Sequence, residues 1–217
     1  MAESLAKFPP AARVKSASEA LQMGNIAYTE HSSRGPPAAS TTLPPEGQPD
    51  FLSEFVLADC GSVNSSIINL NESPELSDRV TVWVLGMLYR LGYEEYVEEL
   101  RKIYEENPPL PPFPTRYPAI MCESWTVTPG EHPLADHNDN VNGHDQVTFV
   151  VYPQGGWKGG ELRIITQRGP TVSESIASTN DNGWVVVAFG GDVEHLPTAP
   201  SEGERKCVVF HVGKVRP

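Results

Sequence analysis

The chain has 217 residues, of which 28 are acidic and 16 are basic, so its formal net charge is −12. A chain this acidic is a poor candidate for binding the phosphate backbone of a nucleic acid, which requires clustered lysine and arginine. We therefore expect no nucleic-acid partner. The length suits one domain with additional segments around it, and the hydrophobic content of 39% is sufficient for a core.

Cysteine usage and the absence of targeting patterns bear on the compartment. Cys60, Cys122 and Cys207 are widely spaced and form neither a zinc-type pair nor a disulfide framework, which favours a reducing environment. The first 22 residues show no signal-peptide pattern, and no stretch is long and apolar enough to span a bilayer. We expect an intracellular protein, cytoplasmic or nuclear, with no membrane partner.

Residues 1–50 are rich in proline and small polar residues. Residues 32–50 contain almost no large apolar side chains, so burial would not offset the entropy lost on ordering. We predict a loose N-terminal arm over residues 1–50. A solvated tail is favoured over a segment that packs on the rest of the protein.

Residues 51–118 are predicted to form a helical support region followed by a proline-rich connector. Ser73 and Pro74 are typical of a helix start, because the hydroxyl caps free N–H groups and proline costs nothing in the first turn. Gly92 is a plausible end for this helix, and a second helix should stop at the Asn-Pro-Pro sequence of residues 107–109. Residues 51–60 are consistent with a short helix or strand.

From residue 119 to the end, short β-rich runs alternate with glycine, asparagine and aspartate. Such a series predicts an all-β barrel or a double-sheet jelly roll. The glycine-rich residues 155–160 are predicted to form a hairpin loop, since no helix follows that would bind a phosphate. The predicted strands cover residues 120–128, 146–152, 161–166, 183–189 and 206–212.

A candidate metal site is formed by His137, Asp139 and a distant histidine, His195. Residues two apart lie on the same face of an extended strand, so His137 and Asp139 are positioned to act together. Two histidines and one carboxylate that leave the opposite side of a metal open are typical of non-haem Fe(II) oxygenases. The alternative is a hydrogen-bonded cluster at a strand end, which would not need the arginine that follows.

Arg205 lies ten residues after His195 and immediately precedes the last predicted strand. If its side chain points into the barrel, alternation also places Cys207, Val209 and His211 inside. A buried arginine without a partner is very costly, so either a protein carboxylate or a bound dicarboxylate should pair with it. The guanidinium can bind a carboxylate through two parallel hydrogen bonds, and Tyr152 is a candidate donor to the same group.

Four sequence stretches carry a family resemblance, and they occur in order over roughly residues 121–212. The chain resembles the 2-oxoglutarate and Fe(II)-dependent dioxygenases, in particular the prolyl-hydroxylase-domain type. The resemblance implies a mainly β fold: a double-stranded β-helix, or jelly-roll, barrel with supporting N-terminal α-helices. We therefore assign residues 119–217 to the oxygenase core. The stretches are HNDNVNG (137–143), VTFVVY (147–152), GGELRI (159–164) and GDVEHLPTAPSEGER (191–205).

The resemblance also implies roles for individual residues. His137, Asp139 and His195 would be the iron ligands, while Arg205 and Tyr152 would bind the distal carboxylate of 2-oxoglutarate. The implied cofactor is Fe(II) with 2-oxoglutarate as co-substrate, and ascorbate is a further candidate.

Three positions depart from the family pattern: Pro153 follows Tyr152 in place of the more usual leucine, and two further changes lie near the co-substrate site. Thr128 stands where the prolyl-hydroxylase type often has a tyrosine that contacts the co-substrate, with Thr126 on the same strand face as the other candidate. Cys207 occupies a position where many relatives carry a small hydroxyl residue. Both changes would reshape the carboxylate site.

Three functions are compatible with these features. The favoured one is a dioxygenase that converts 2-oxoglutarate and O2 to succinate and CO2 while hydroxylating a C–H bond, in particular of a prolyl residue in a protein or peptide. The second is an oxygenase acting on an amino acid or another small molecule. The third is a metal-binding jelly-roll module without catalysis, which the retained arginine disfavours.

Other polar and aromatic residues are assigned weaker roles. His132 and His144 are predicted to be solvated loop residues, and His211 a hydrogen-bonded core histidine in preference to a ligand. Trp157 is the best tryptophan candidate for contact with substrate, while Trp125 and Trp184 are predicted to serve packing.

Overall fold

A six-stranded antiparallel sheet forms the centre of the structure, a computed structural model. It describes residues 38–43, 48–56, 65–70, 73–106, 119–131, 135–139, 146–153, 155–165, 173–176 and 184–213. The helices are α1 (Asp50–Val56), α2 (Pro74–Arg90) and α3 (Glu94–Glu106). The strands are β1 (Ala38–Leu43), β2 (Ser65–Ile68), β3 (Ala119–Val127), β4 (Gln146–Tyr152), β5 (Trp157–Gly159), β6 (Leu162–Ile165), β7 (Ser173–Ile176), β8 (Trp184–Gly190), β9 (Glu194–Pro197), β10 (Pro200–Gly203) and β11 (Arg205–Gly213).

The large sheet has the strand order β1-β8-β4-β11-β3-β2. Its central strands are apolar on both faces because both are covered. On β11, Val208, Phe210 and Val212 face the helices, whereas Cys207 and Val209 face the opposite side. This is the alternation predicted for the last strand.

Two small sheets, with strand orders β7-β6-β9 and β10-β5, contribute to the side of the large sheet on which Cys207 and Val209 lie. An inner core joins them to the large sheet, with Leu162 and Ile164 of β6 packing with Val187 and Phe189 of β8. Two antiparallel sheets with apolar side chains between them form the double-walled arrangement of a jelly roll. The mainly β prediction is therefore confirmed.

The helices pack on the outer face of the large sheet. Ser73 caps α2 by accepting a hydrogen bond from the backbone N–H of Leu76 at 3.3 Å, and Gly92 follows the helix with a φ of 96°. The ring of Trp83 lies 5.4 Å from that of Phe149 and 6.2 Å from that of Phe210, which links α2 to two strands. No helix in the described part of the chain is long and apolar enough to cross a membrane.

Two tyrosines after the first long helix fix this layer to the sheet. The Tyr93 hydroxyl donates to the carbonyl of Ala188 at 3.2 Å, and the Tyr96 hydroxyl donates to the carbonyl of Val212 at 2.6 Å. Both tyrosines are fully buried, so these hydrogen bonds satisfy hydroxyl groups that would otherwise be costly to bury. The helical region therefore braces the barrel, as predicted.

The two long predicted helices and the five predicted strands are confirmed, with ends that shift by one or two residues, and the short element predicted at 51–60 is the helix Asp50–Val56. The arm predicted for residues 1–50 is wrong for Ala38–Leu43, which forms an edge strand paired with β8 and buries Ala38 and Leu43. The hairpin loop predicted at 155–160 is also corrected, because Trp157–Gly159 forms a strand paired with β10. Most of the remaining arm lies outside the described residues.

Candidate metal and dicarboxylate site

His137 and His195 are brought together by a direct backbone pairing. The N–H of His137 donates to the carbonyl of His195 at 3.0 Å, and the N–H of His195 donates back at 2.7 Å. The two imidazole rings consequently lie on one side, with centroids 4.3 Å apart. A short bridge at the start of β9 thus joins two residues that are distant in sequence.

Asp139 completes a three-donor cluster with the two histidines. Its Oδ1 atom lies 3.5 Å from Nε2 of His137 and 3.7 Å from Nε2 of His195. One donor atom from each residue falls within 4.8 Å of the others, which is compact enough to hold a metal ion. Two imidazoles and one carboxylate on one side of a cavity leave the remaining positions of an octahedral ion open to other ligands.

The outer nitrogens of both histidines are occupied by backbone carbonyls. Nδ1 of His137 lies 2.9 Å from the carbonyl of Ala135, and Nδ1 of His195 lies 3.0 Å from that of Val193. A proton held on Nδ1 by a carbonyl leaves Nε2 as the atom with a free electron pair, directed at the cluster. This supporting geometry is typical of metal-binding histidines.

The carboxylate and backbone of Asp139 are held from the start of β4. The hydroxyl of Thr148 donates to Oδ2 of Asp139, and the amide of Gln146 donates to its backbone carbonyl. Because Oδ2 is engaged, Oδ1 is left for the two histidines and for a metal. His211 is also nearby, with Nδ1 3.4 Å from the Thr148 hydroxyl and 3.9 Å from Oδ2 of Asp139.

Burial and mutual interactions shift the pKa values of the three side chains differently. Burial alone would raise the pKa of Asp139, but His137, His195 and Thr148 stabilise the carboxylate and lower this pKa to about 2. The hydrogen bond with Asp139 raises the pKa of His137, whereas burial lowers the pKa of His195. The shifts of Asp139 and His195 favour an ionised carboxylate and a neutral imidazole, which are the protonation states that bind metals, whereas the shift of His137 favours its protonated form until a metal displaces the proton.

Arg205 lies in the same cavity, which has a volume of about 250 Å³. The residue is only 2% exposed. One terminal nitrogen donates to the carbonyls of Thr198 at 2.9 Å and Gly160 at 3.3 Å, while Nε is buried without a partner. Within the described ranges no carboxylate pairs with this guanidinium, so its positive charge and buried N–H are available to an anionic ligand.

Tyr152 and Cys207 also line the cavity. Burial raises the pKa of Tyr152, so its phenol stays protonated and can act as a hydrogen-bond donor. Cys207 is buried and forms no disulfide in the described part of the chain. The donor set fits Fe(II), and the unsatisfied guanidinium fits a dicarboxylate such as 2-oxoglutarate.

The structure brings together most residues singled out in the sequence. Thr128 is one exception: it is not among the cavity-lining residues, and its backbone N–H donates to Oε2 of Glu131 at 2.6 Å. Trp157 is buried in the inner core instead of lining the cavity. The residues that do meet are His137, Asp139, Tyr152, His195, Arg205 and Cys207.

Four cavity residues were missed or given another role. Glu123 and Trp125 of β3 line the wall where Thr126 and Thr128 were expected, because the opposite face of that strand points inward. Strand periodicity separates the two faces, but it does not reveal which one is inside. Thr148 supports Asp139, and His211 reaches the cavity although it is not one of the three clustered donors. His132 and His144 lie outside the described residues.

This chain is similar to known proteins in its structure but not in its sequence. No protein-family model matches the sequence, and no curated protein matches it. A truncated form of a viral collagen prolyl hydroxylase from Paramecium Bursaria Chlorella virus-1 has a TM-score of 0.50 and 10% identity, over 88% of this chain and 96% of that chain. A Pseudomonas putida prolyl-4-hydroxylase has a TM-score of 0.48 and 16% identity, over 83% of this chain and 94% of that chain. The similarity to the viral protein shows that the two chains share a fold.

Proposed function

We propose that this protein is an Fe(II)- and 2-oxoglutarate-dependent dioxygenase. We propose that its substrate is a prolyl residue of a protein or peptide. The observation that carries the proposal is the placement of Arg205 in the same cavity as the His137, Asp139 and His195 cluster. Three metal-binding side chains and a buried arginine in one cavity suit a particular kind of ligand. Such a ligand would chelate the metal through one end and carry a carboxylate at the other.

The first part of the proposed mechanism is binding of iron by His137, Asp139 and His195. The carbonyls behind the two imidazoles fix the rings, and Thr148 restrains the carboxylate, so the donors do not have to reorganise. Bound iron would supply the oxidising chemistry, in which O2 and 2-oxoglutarate yield succinate and CO2 as a C–H bond is hydroxylated.

The second part is orientation of the co-substrate by Arg205 and Tyr152. Arg205 would pair with the distal carboxylate, because its buried Nε lacks a partner and its terminal nitrogen is already positioned by two carbonyls. The protonated phenol of Tyr152 would add a second donor to that carboxylate. Val150, Leu162 and Phe189 line the cavity with apolar surface, which excludes water from the reacting groups.

A metal-binding module without catalysis is less well supported. Such a module needs the His137, Asp139 and His195 cluster alone, and it gives no reason to bury an arginine without a counter-ion. Removing an arginine charge from water costs several kcal/mol unless a partner compensates for it. A bound dicarboxylate would provide that compensation at Arg205, whose Nε lacks a partner.

The choice of a prolyl substrate is supported by the structural relative, which is named as a collagen prolyl hydroxylase. The experiment is incubation of the protein with Fe(II), 2-oxoglutarate, O2 and a proline-rich peptide, followed by mass spectrometry of the peptide. We expect addition of one oxygen atom to proline, with succinate formed in equal amount, and neither product from His195→Ala. Succinate formed without any peptide oxidation, but coupled to oxidation of a free amino acid, would favour the small-molecule alternative.

A further inference from the structure

The cavity wall formed by β3 continues into an exposed apolar surface. Ile67 on β2 is 70% exposed and Met121 on β3 is 45% exposed. They are the exposed large hydrophobic residues within the part of the chain that the structure describes. Adjacent apolar side chains left in water beside a cavity often mark a binding surface.

Strand pairing places these two residues on the cavity side of the large sheet. Ile67 is directly opposite Glu123, and Met121 is directly opposite His211. Both Glu123 and His211 line the cavity, and residues that pair across strands point to the same face. Ile67, Met121 and Glu123 therefore form one continuous surface at the cavity, which we call the ledge.

Glu123 gives the ledge a negative charge. Its Oε2 atom accepts a hydrogen bond from Nε1 of Trp125 at 2.8 Å, which positions the carboxylate beside an aromatic ring. Within the described residues no cation pairs with Glu123, so its second oxygen remains available. A positioned carboxylate next to an indole ring suits a lysine or arginine side chain, through charge-assisted hydrogen bonding and cation–π attraction.

The backbone geometry at the ledge favours an extended partner. β2 is the edge strand of the large sheet in the described structure, and its four residues pair with β3 on one side. Peptides commonly bind such edges as an added strand, with alternate side chains entering adjacent pockets. The net charge of −12 would also attract a cationic partner from a distance.

We infer that the ledge binds an extended polypeptide substrate and that Glu123 selects a lysine or arginine close to the residue that is oxidised. This inference rests on the proposed function and specifies its substrate class. Ile67 and Met121 contact the apolar part of the peptide, while Glu123 and Trp125 contact its cationic side chain. A free small molecule would need no such ledge outside the cavity.

The test is peptide binding to the complete chain loaded with Fe(II) and 2-oxoglutarate under argon, measured by fluorescence anisotropy. One fluorescein-labelled peptide carries proline between two lysines, and the second carries glutamate in place of each lysine. We expect about fivefold tighter binding of the lysine peptide, the upper range for a partly exposed ion pair. Glu123→Gln should remove most of this preference and leave only the part that the net charge of the chain contributes, and Glu123→Lys should reduce it further.

Two further variants separate local recognition from net charge. Glu54→Gln removes one exposed acidic group on α1, which packs against the opposite face of the large sheet, so the lysine preference should persist. Ile67→Ser should weaken binding of both peptides to a similar extent, because it removes apolar contact without changing charge.

The inference is overturned if the unaltered protein binds both peptides equally, or if Glu123→Gln keeps the full lysine preference. It is also overturned if free lysine displaces the lysine peptide at concentrations near the dissociation constant of that peptide. The absorption band of the iron and 2-oxoglutarate complex, recorded in the same samples, tests the proposed function separately. Its absence contradicts that function, whereas its presence without peptide preference contradicts only the inference.

Discussion

The backbones of His137 and His195 are hydrogen-bonded to each other in both directions, at 3.0 and 2.7 Å. This pairing, together with the carbonyls behind each imidazole, organises the candidate metal ligands through protein contacts alone. These contacts hold both imidazoles in place within the barrel.

Metal removal should consequently leave the fold intact. After treatment with a chelator, we expect an unchanged far-ultraviolet circular dichroism spectrum and a single cooperative thermal transition. Adding Fe(II) under argon should raise the unfolding temperature progressively, because the metal binds the native state preferentially. Loss of secondary structure on chelation would contradict a preformed site and would indicate that metal binding and folding are coupled.

Thr148 should contribute to metal affinity through Asp139. In Thr148→Val the shape of the side chain is retained, but Oδ2 of Asp139 loses its hydroxyl donor. We expect about tenfold weaker metal binding, the lower range for loss of a residue that supports a ligand. Thr148→Ser keeps the hydroxyl and should restore most of the affinity. Equilibrium competition with a metal-sensitive dye measures both variants, and equal affinity in Thr148→Val would refute this role.

Gly160 should control the position of Arg205. Its φ of +71° is in the left-handed region, and a Cβ atom there would lie 3.1 Å from Cδ of Arg205 and 3.4 Å from Pro200. Gly160→Ala should displace the guanidinium. We expect the 2-oxoglutarate concentration needed for half-maximal binding to rise by about tenfold, because charge-assisted hydrogen bonds worth ~1.4 kcal/mol would be lost.

Gly155→Ala is the matched control for Gly160→Ala. Gly155 also has a positive φ, of +62°, but an added Cβ meets nothing within 4 Å. Backbone strain alone would therefore affect both variants, whereas steric displacement of Arg205 affects only Gly160→Ala. Arg205→Ala should raise the 2-oxoglutarate requirement further, and calorimetric titration of the three variants would rank them. A normal requirement in Arg205→Ala would mean that another cation binds the co-substrate.

Cys122 should make the protein less stable at alkaline pH. Burial, with a smaller contribution from Glu123, raises the pKa of its thiol well above the ordinary value of 9.0. Above pH 9 the unfolded chain releases the thiol proton while the folded chain keeps it, so stability is fully present below pH 9 and falls as pH rises. The slope approaches about 1.4 kcal/mol per pH unit for one group.

Urea denaturation of the unaltered chain and Cys122→Ala at pH 8 and pH 10 measures this effect. Cys122→Ala has its own cost from the deleted side chain, which is present at both pH values. The diagnostic quantity is therefore the change in unfolding free energy between the two pH values, and we expect it to be smaller in Cys122→Ala. Equal changes in both proteins would show that Cys122 does not ionise on unfolding in this range.

The sequence predicted the parts of the fold whose signals are local. Ser73, Pro74 and Gly92 mark the ends of α2 by capping chemistry, and strict alternation along β11 placed Arg205 and Cys207 inside the barrel. These predictions require only side-chain periodicity and the chemistry of helix ends.

Features that depend on distant partners were not predicted. Ala38–Leu43 forms a strand because β8 presents a free edge, and nothing in its own composition indicates that pairing. The inward face of β3 was assigned incorrectly for the same reason, since alternation is equally compatible with Trp125 or Thr126 inside. The supporting role of Thr148 also became apparent only when Asp139 was placed beside it.

The most direct test of the central claim is an anaerobic titration of the metal-free protein with Fe(II) and 2-oxoglutarate, followed by exposure to O2 and assay of succinate. We predict a weak visible charge-transfer band that requires both additions, slow succinate formation on oxygenation, and loss of both in His195→Ala. A protein that binds Fe(II) but gives neither the band nor succinate, even with proline-rich peptide present, would contradict the assignment of this cavity to 2-oxoglutarate-dependent oxidation.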